Sequence, residues 1–278
     1  MSQRAGSLAA VRLATWNVNS VRARLDRVLA WVQRSDVDVV ALQETKCKDA
    51  QFPAQAFEDI GYAVAHHGLS QWNGVALLSR VGLADVRTAF APDVPEFGDP
   101  PVVEARAIGA RCGGVDVWSL YVPNGRGLQD PHYPYKLAWL ESLRAAGAGW
   151  LAADPAAQVA LCGDFNIAPT DDDVWDRTFF EGLTHVSEPE RAAFGALDAA
   201  GFTDVVRPHA PGPGVYTYWD YQQLRFPKRQ GMRIDFVLGS PALAARVSGA
   251  TIDREERKGK GASDHAPVVV ELAAQPPA

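Results

Sequence analysis

Seven short stretches of this chain set carboxylates, carboxamides or a histidine against apolar runs: "TWNVNS", "LQETK", "LYVPNGRG", "CGDFNIAP", "YTYWDY", "MRIDFVL" and "SDHAP". They contribute Asn17 and Asn19; Glu44 and Lys46; Tyr121, Asn124 and Arg126; Asp164 and Asn166; Trp219; Asp235; and Asp264 and His265. Taken singly, each has an ordinary structural reading, such as an Asx residue closing a turn, a glutamate opening a helix or a histidine satisfied at the edge of a core. Taken together, they are what an oxygen-rich site for a hard cation requires, with one histidine to move or hold a proton.

Such side chains can converge only if the elements that carry them end at one place. The runs "VRLATWNV", "VDVVALQE", "GVALLSR", "VVEARAI", "VDVWSLYV", "QVALCGDFN", "RIDFVLGS" and "DHAPVVVEL" are rich in Val, Leu and Ile, are bounded by Gly, Pro or Asp, and read as strands. Helical spacing of Leu25, Val28, Leu29 and Val32 predicts a helix over Val21 to Arg34, and a second is expected over Tyr133 to Ala152. No linker, repeat or boundary divides the chain. A single α/β domain over residues 1–278 is expected, with an ordered core from about residue 11 to about residue 273 and an unstructured "AAQPPA" tail. In α/β folds, chemistry gathers where loops leave strand ends.

Composition narrows the class. A net charge of -6 argues against a protein that coats nucleic acid by global charge, yet basic residues cluster in "VRARLDR", "ETKCK", "FPKRQGMR" and "REERKGKG", beside the polar motifs. The three cysteines, Cys47, Cys112 and Cys162, are odd in number and have no metal-ligand spacing, so reduced thiols are expected. Arg12 interrupts the first apolar stretch, which therefore lacks the pattern of a signal peptide; a cytoplasmic, monomeric protein without membrane contact is expected.

The ordered set "WNVNSVRAR", "LQETK", "YVPNGRG", "GDFNIAP", "RIDFVL" and "SDHAP" resembles the exonuclease III class of abasic-site endonucleases, within the endonuclease/exonuclease/phosphatase superfamily. The resemblance runs from about Leu13 to about Leu272. "GDFN" and "SDHxP" are common to the superfamily, whereas "LQETK", "YVPNGRG" and "WDY" followed by "RIDF" are more specific to the abasic-site enzymes. It implies a four-layer α/β sandwich, two packed mixed sheets flanked by helices. It also implies Mg²⁺-dependent cleavage of double-stranded DNA 5′ to abasic sites, with 3′-phosphodiesterase, 3′-phosphatase or 3′-to-5′ exonuclease activity at blocked ends, Mn²⁺ being a possible substitute. The alternatives are a relative acting on another phosphate ester, such as a lipid or an RNA end, and a non-catalytic DNA-binding relative.

Hydrolysing a phosphodiester requires a cation to neutralise the phosphate, a group to ready water and charge stabilisation of the leaving oxygen. Glu44 is the first candidate for a Mg²⁺ ligand, with Asn17 and Asp264 behind it and Asp164 and Asn166 alongside. Asp164 and Asn166 alternate with Phe165 and are expected on one face of a strand, with Asp164 favoured to activate water. Tyr121 is a hydrogen-bond donor or, with a lowered pKa, a base. Asp235 is expected to bond one ring nitrogen of His265, whose other face meets the phosphate. Ser263 is expected to serve a turn. Lys46, Asn124, Arg126, Lys228, Arg229 and Arg233 are candidate phosphate contacts, and Trp219 is a candidate to press on a baseless sugar. Asn19 stands where many members of the class carry aspartate, which leaves the number of metal ions open.

Overall fold

The computed structural model describes residues 9–275. The first eight residues and the Pro-Pro-Ala end of the expected tail lie outside the described residues. Twelve strands form two six-stranded mixed sheets. The first sheet contains β1 (Val11–Asn17), β2 (Val39–Gln43), β3 (Ala63–His67), β4 (Val75–Ser79), β11 (Val247–Ile252) and β12 (Val268–Leu272), in the order β11-β12-β1-β2-β4-β3. The second contains β5 (Ala84–Arg87), β6 (Ala107–Cys112), β7 (Val115–Tyr121), β8 (Val159–Asp164), β9 (Thr203–Asp204) and β10 (Asp235–Gly239), in the order β5-β6-β7-β8-β10-β9. The helices are α1 (Leu25–Ser35), α2 (Ala54–Glu58), α3 (His132–Ala153), α4 (Glu188–Ala199) and α5 (Pro241–Ala244).

Alternation along the strands builds the layers, because successive side chains leave opposite faces. Leu13, Val39, Leu77 and Val270 of the first sheet meet Ile108, Val117, Cys162 and Val237 of the second in one apolar core. The intervening residues face outwards: Trp16, Val40 and Leu42 pack on Val28, Trp31 and Val32 of α1, and Trp118, Leu161 and Phe236 pack on Trp139 and Leu143 of α3 and on Phe194 and Leu197 of α4. The result is the expected four-layer sandwich. Truncating Trp139, which is 1% exposed, to alanine removes about 3–5 kcal/mol at a site of this kind.

Two parallel pairs, β1 with β2 and β7 with β8, are joined by crossovers through α1 and α3, so both members of each pair end at the same rim. Asn17 pairs with Gln43, one residue before Glu44, and Tyr121 pairs with Asp164. The antiparallel strand β10 begins at this rim, with Asp235 opposite Asp164. The antiparallel strand β12 likewise begins there, three residues after His265, with Val268 opposite Thr15. Six chain segments thus deliver their polar residues to one end of the sandwich.

The helix expected from Val21 starts at Leu25, after a 3-10 turn over Arg22–Arg24. The strand expected from Val102 starts at Ala107, after a tight turn in which Arg106 N–H donates to Glu104 O at 2.8 Å and interrupts the extended run. The edge strands β3, β5, β9 and β11, and the helices α2, α4 and α5, carried no clear sequence expectation.

Candidate active site

The rim holds a 180 Å³ cavity whose floor is built from Glu44, Tyr121, Asp164, Asn166, Asp264 and His265. Asn17 is the joint between the two sheets: its Nδ2 donates to Glu44 Oε1 at 2.8 Å and to Asp164 Oδ2 at 3.0 Å, while its Oδ1 accepts the Asn19 N–H at 3.0 Å. Both of its polar atoms are thereby engaged. Asn17 holds the Glu44 and Asp164 carboxylates together.

Asp164 and Asn166 do not project from one strand face. Strand β8 stops at Asp164, and Asn166 takes a left-handed φ of 51° with its N–H donating to Asp164 Oδ1 at 2.9 Å. The turn, rather than the pleat, brings both into the cavity. Gly163 permits it, since a Cβ there would lie 1.8 Å from the Leu120 carbonyl oxygen.

His265 and Asp235 meet as expected, Nδ1 to Oδ2 at 2.8 Å, and His265 Nε2 lies 3.8 Å from Asp164 Oδ2. Burial would strip the imidazole of its proton, but the charge and hydrogen bond of Asp235, with Asp164 and Asp264 adding, raise its pKa to about 10. Burial pushes Asp164 up to about 7, with Asp235 and Glu44 adding and His265 opposing. Against its own burial, Glu44 is held below the usual carboxylate range by Lys46 at 2.8 Å and by Asn17. Tyr121 moves the wrong way for a base: burial and then Glu44 hold its hydroxyl far above the ordinary tyrosine range, so it is a donor. Ser263 serves the turn as expected, donating to Asn17 O at 2.7 Å and accepting the His265 N–H at 3.2 Å.

The donor set suits a divalent cation. Glu44, Asp164 and His265 present ligand atoms within 4.8 Å of one another, and two of the three are carboxylates of the kind a hard cation takes. Four carboxylates, Glu44, Asp164, Asp235 and Asp264, face two cations, His265 and Lys46, an excess of negative charge in a poorly solvated cavity. Asp264 accepts from Asn19 Nδ2 at 3.0 Å, and Lys46 Nζ donates to Asn19 Oδ1 at 2.6 Å, so Asn19 bridges these two instead of supplying a charge.

Asn124 and Arg126 are exposed at the mouth, and Lys228 and Arg229 are exposed on the loop between Asp220 and Gly231. Arg233 and Trp219 are not at the surface. Arg233 is 2% exposed and is closed into ion pairs with Asp173 at 2.6 Å and Asp204 at 2.5 Å, which removes it from any phosphate. Trp219 is 1% exposed and packs under Phe226 and Tyr216, with Arg254 over its ring, so it supports the loop and cannot press on a sugar. Its neighbour Tyr218, in contrast, lines the cavity, with its ring centroid 4.9 Å from that of His265.

Sequence reasoning missed His185, which lines the cavity with Nε2 3.2 Å from Asn166 Oδ1 and 3.3 Å from Asn124 Nδ2. Burial lowers its pKa to about 4, with Lys136 adding, so this second imidazole is neutral. The available signal was its place immediately before "VSEPE", where Ser187 and Glu190 form the capping box that opens α4.

Comparison with known proteins agrees with this geometry. The Endonuclease/Exonuclease/phosphatase family matches residues 14–265. Exodeoxyribonuclease III of Haemophilus influenzae is 30% identical over 94% of this chain and 100% of its own length, and the DNA repair nuclease APEX1 of Danio rerio is 29% identical over 98% of this chain and 86% of its own. Among solved structures, a variant of the 3′ phosphatase NExo from Neisseria, bound to a product DNA hairpin, superposes with a TM-score of 0.88 at 35% identity, covering 94% of this chain and 99% of that one. An AP endonuclease from Archaeoglobus fulgidus gives 0.86 at 33% identity, with the same coverage of both chains. With the family matched across both sheets and all six segments that build the cavity, the chain belongs to the endonuclease/exonuclease/phosphatase family.

Proposed function

We propose that the protein is a Mg²⁺-dependent DNA-repair phosphodiesterase that cleaves double-stranded DNA 5′ to abasic sites and clears blocked 3′ ends. One observation carries the reading: carboxylates, a carboxylate-bound imidazolium and two asparagines converge on one small cavity at the joined ends of both sheets. The relatives named above support DNA as the substrate class, since they are called an exodeoxyribonuclease, a DNA repair nuclease, an AP endonuclease and a 3′ phosphatase. The protein acts in this reading as a monomer, and three free, buried thiols favour the cytoplasm.

Glu44 and Asp164 would hold the cation, which when bound supplies neutralisation of the phosphate and acidification of water; Mn²⁺ meets the same oxygen-ligand requirement. Asp164, which lines the cavity beside His265, accepts the proton of the attacking water. As the water oxygen bonds to phosphorus, the bond to the 3′ oxygen breaks on the opposite side and that oxygen is protonated by solvent. His265 donates Nε2–H to a phosphate oxygen while Asp235 holds its ring, and Asn124 and Asn166 donate from the other wall. Tyr121, kept protonated, fixes Glu44. Arg126, Lys228 and Arg229 form the exposed basic rim that meets the DNA backbone.

A substrate panel tests the reading: duplexes carrying one abasic analogue, a 3′-phosphate or an unmodified 3′ end, each with Mg²⁺, Mn²⁺ or EDTA. Incision on the 5′ side of the analogue and release of 3′-phosphate, both abolished by EDTA, are the expected results. Turnover confined to RNA ends or lipid phosphates would overturn it.

A further inference from the structure

A lysine that no motif singled out lies behind the cavity wall. Lys136 of α3 is 0% exposed, and its ammonium donates to Asn166 O at 2.6 Å, Asn124 O at 3.4 Å and Glu190 Oε1 at 2.5 Å. Its three protons are matched to three acceptors, each on a different segment. Glu190, also 0% exposed, accepts from Ser187 Oγ at 2.5 Å and so ties the start of α4, which follows His185, to the same point.

Burial of an ammonium costs several kcal/mol, and a well-packed apolar pair would serve stability as well or better. What the charge does here is visible in its partners. The carbonyl groups of Asn124 and Asn166 turn inwards to Lys136, while the side chains of the same two residues meet at the cavity, Asn124 Nδ2 donating to Asn166 Oδ1 at 2.9 Å. Both turns need such a tether, because they run through left-handed backbone: Asn166 has φ 51° and Arg126 has φ 57°, where residues other than glycine are disfavoured. At the cavity side the turns are already linked, one Asn166 Nδ2 hydrogen going to Val122 O at 3.0 Å; the ammonium adds a bond to the main chain of each turn from behind.

We infer that Lys136 is a positioning residue: from behind the wall, it clamps the Asn124 and Asn166 turns at the spacing that presents their side chains to a phosphate. The kinetic readout rests on the proposed activity, and a spectroscopic one does not. In Lys136→Met/Glu190→Gln, which neutralises the pair while keeping its bulk, the unfolding midpoint should stay near wild type. The single-turnover rate on 3′-phosphate duplex should fall about 10- to 100-fold, the scale of a small misplacement of a positioned group. In ¹⁵N–¹H spectra of the protein without DNA, the side-chain amide signals of Asn124 and Asn166 should move from distinct positions to solvent-like ones. A folded double variant that keeps both amide signals and the wild-type rate would overturn the inference and make Lys136 a core ion pair only. Wild-type protein inactive on every DNA would instead defeat the functional reading, with the amide signals still deciding Lys136. Should the double variant fail to fold, Lys136→Arg decides: it keeps the charge but moves the donors, and is expected to fold and lose rate, whereas an undiminished rate would overturn the inference.

Discussion

Arg233 and Asp235 stand two residues apart in "MRIDF", and each belongs to a buried cluster of carboxylates and cations, yet the clusters do different work. Around Arg233, Asp173 and Asp204 accept from its guanidinium and Arg207 donates to the same Asp173 oxygen, so the charges are matched inside the protein. Around Asp235, a single imidazole is bonded through Nδ1, and its Nε2 opens onto the cavity within 3.8 Å of Asp164. Arginine does not titrate in the working range and has no vacant face here; histidine titrates and has one. A closed cluster fixes the fold. An open one can exchange protons and contact a ligand.

The largest effects should separate the clusters by what is lost. Asp164→Asn should lower the single-turnover rate by at least roughly 10²-fold, on the usual worth of a general base, with DNA affinity and unfolding midpoint near wild type. If rate and folding cooperativity fall together, Asp164 belongs with the structural cluster. Glu44→Gln should weaken the apparent Mg²⁺ affinity roughly tenfold or more, with activity partly restored at high metal, because an amide is a poor ligand for a hard cation. A Mg²⁺ titration that overlays wild type would remove Glu44 from the ligand set.

Arg233→Met should do the reverse. Leaving Asp173 and Asp204 undercompensated should cost about 3–5 kcal/mol in urea unfolding, with the rate constant of the folded protein unchanged. A lost rate with intact stability would return Arg233 to the DNA interface where its sequence context had placed it.

That misplacement marks how far the sequence reaches. The central strands were legible because most of their residues are buried on both faces, which writes apolar runs such as "VVAL" and "VVV". The edge strands were not: every residue of β5 is exposed, and β9 is only two residues long. The floor of the site was readable because its residues terminate those central strands, where polarity is conspicuous. Burial of a single side chain in a loop leaves no such trace, so Trp219 and Arg233 read like surface residues while Tyr218 and His185 passed unnoticed. Lys136 and Glu190 lie 54 positions apart and share no spacing that would announce a pair.

The smallest expected effect lies at the exposed rim. Arg126→Ala and Lys228→Ala, placed in the Asp164→Asn background to prevent cleavage, should each reduce the slope of log Kd against log salt by about 1 while leaving unfolding unaltered. Slopes identical to the parent would show that these side chains do not neutralise phosphate.

The open cluster also sets a sign for pH. An imidazole raised to about 10 contributes stability that is complete below its ordinary value of about 6.5 and is lost as pH climbs through about 10; activity that needs the charged ring should fail over the same alkaline interval. Asp235→Asn should shift both losses to lower pH. The most direct measurement is a double-mutant cycle on single-turnover rates with Asp235→Ala, His265→Ala and the pair. If Asp235 acts only by holding and charging His265, the double variant will be barely slower than His265→Ala alone. If the two losses instead multiply, the residues work separately, and the account of a carboxylate-held imidazolium meeting the phosphate is wrong.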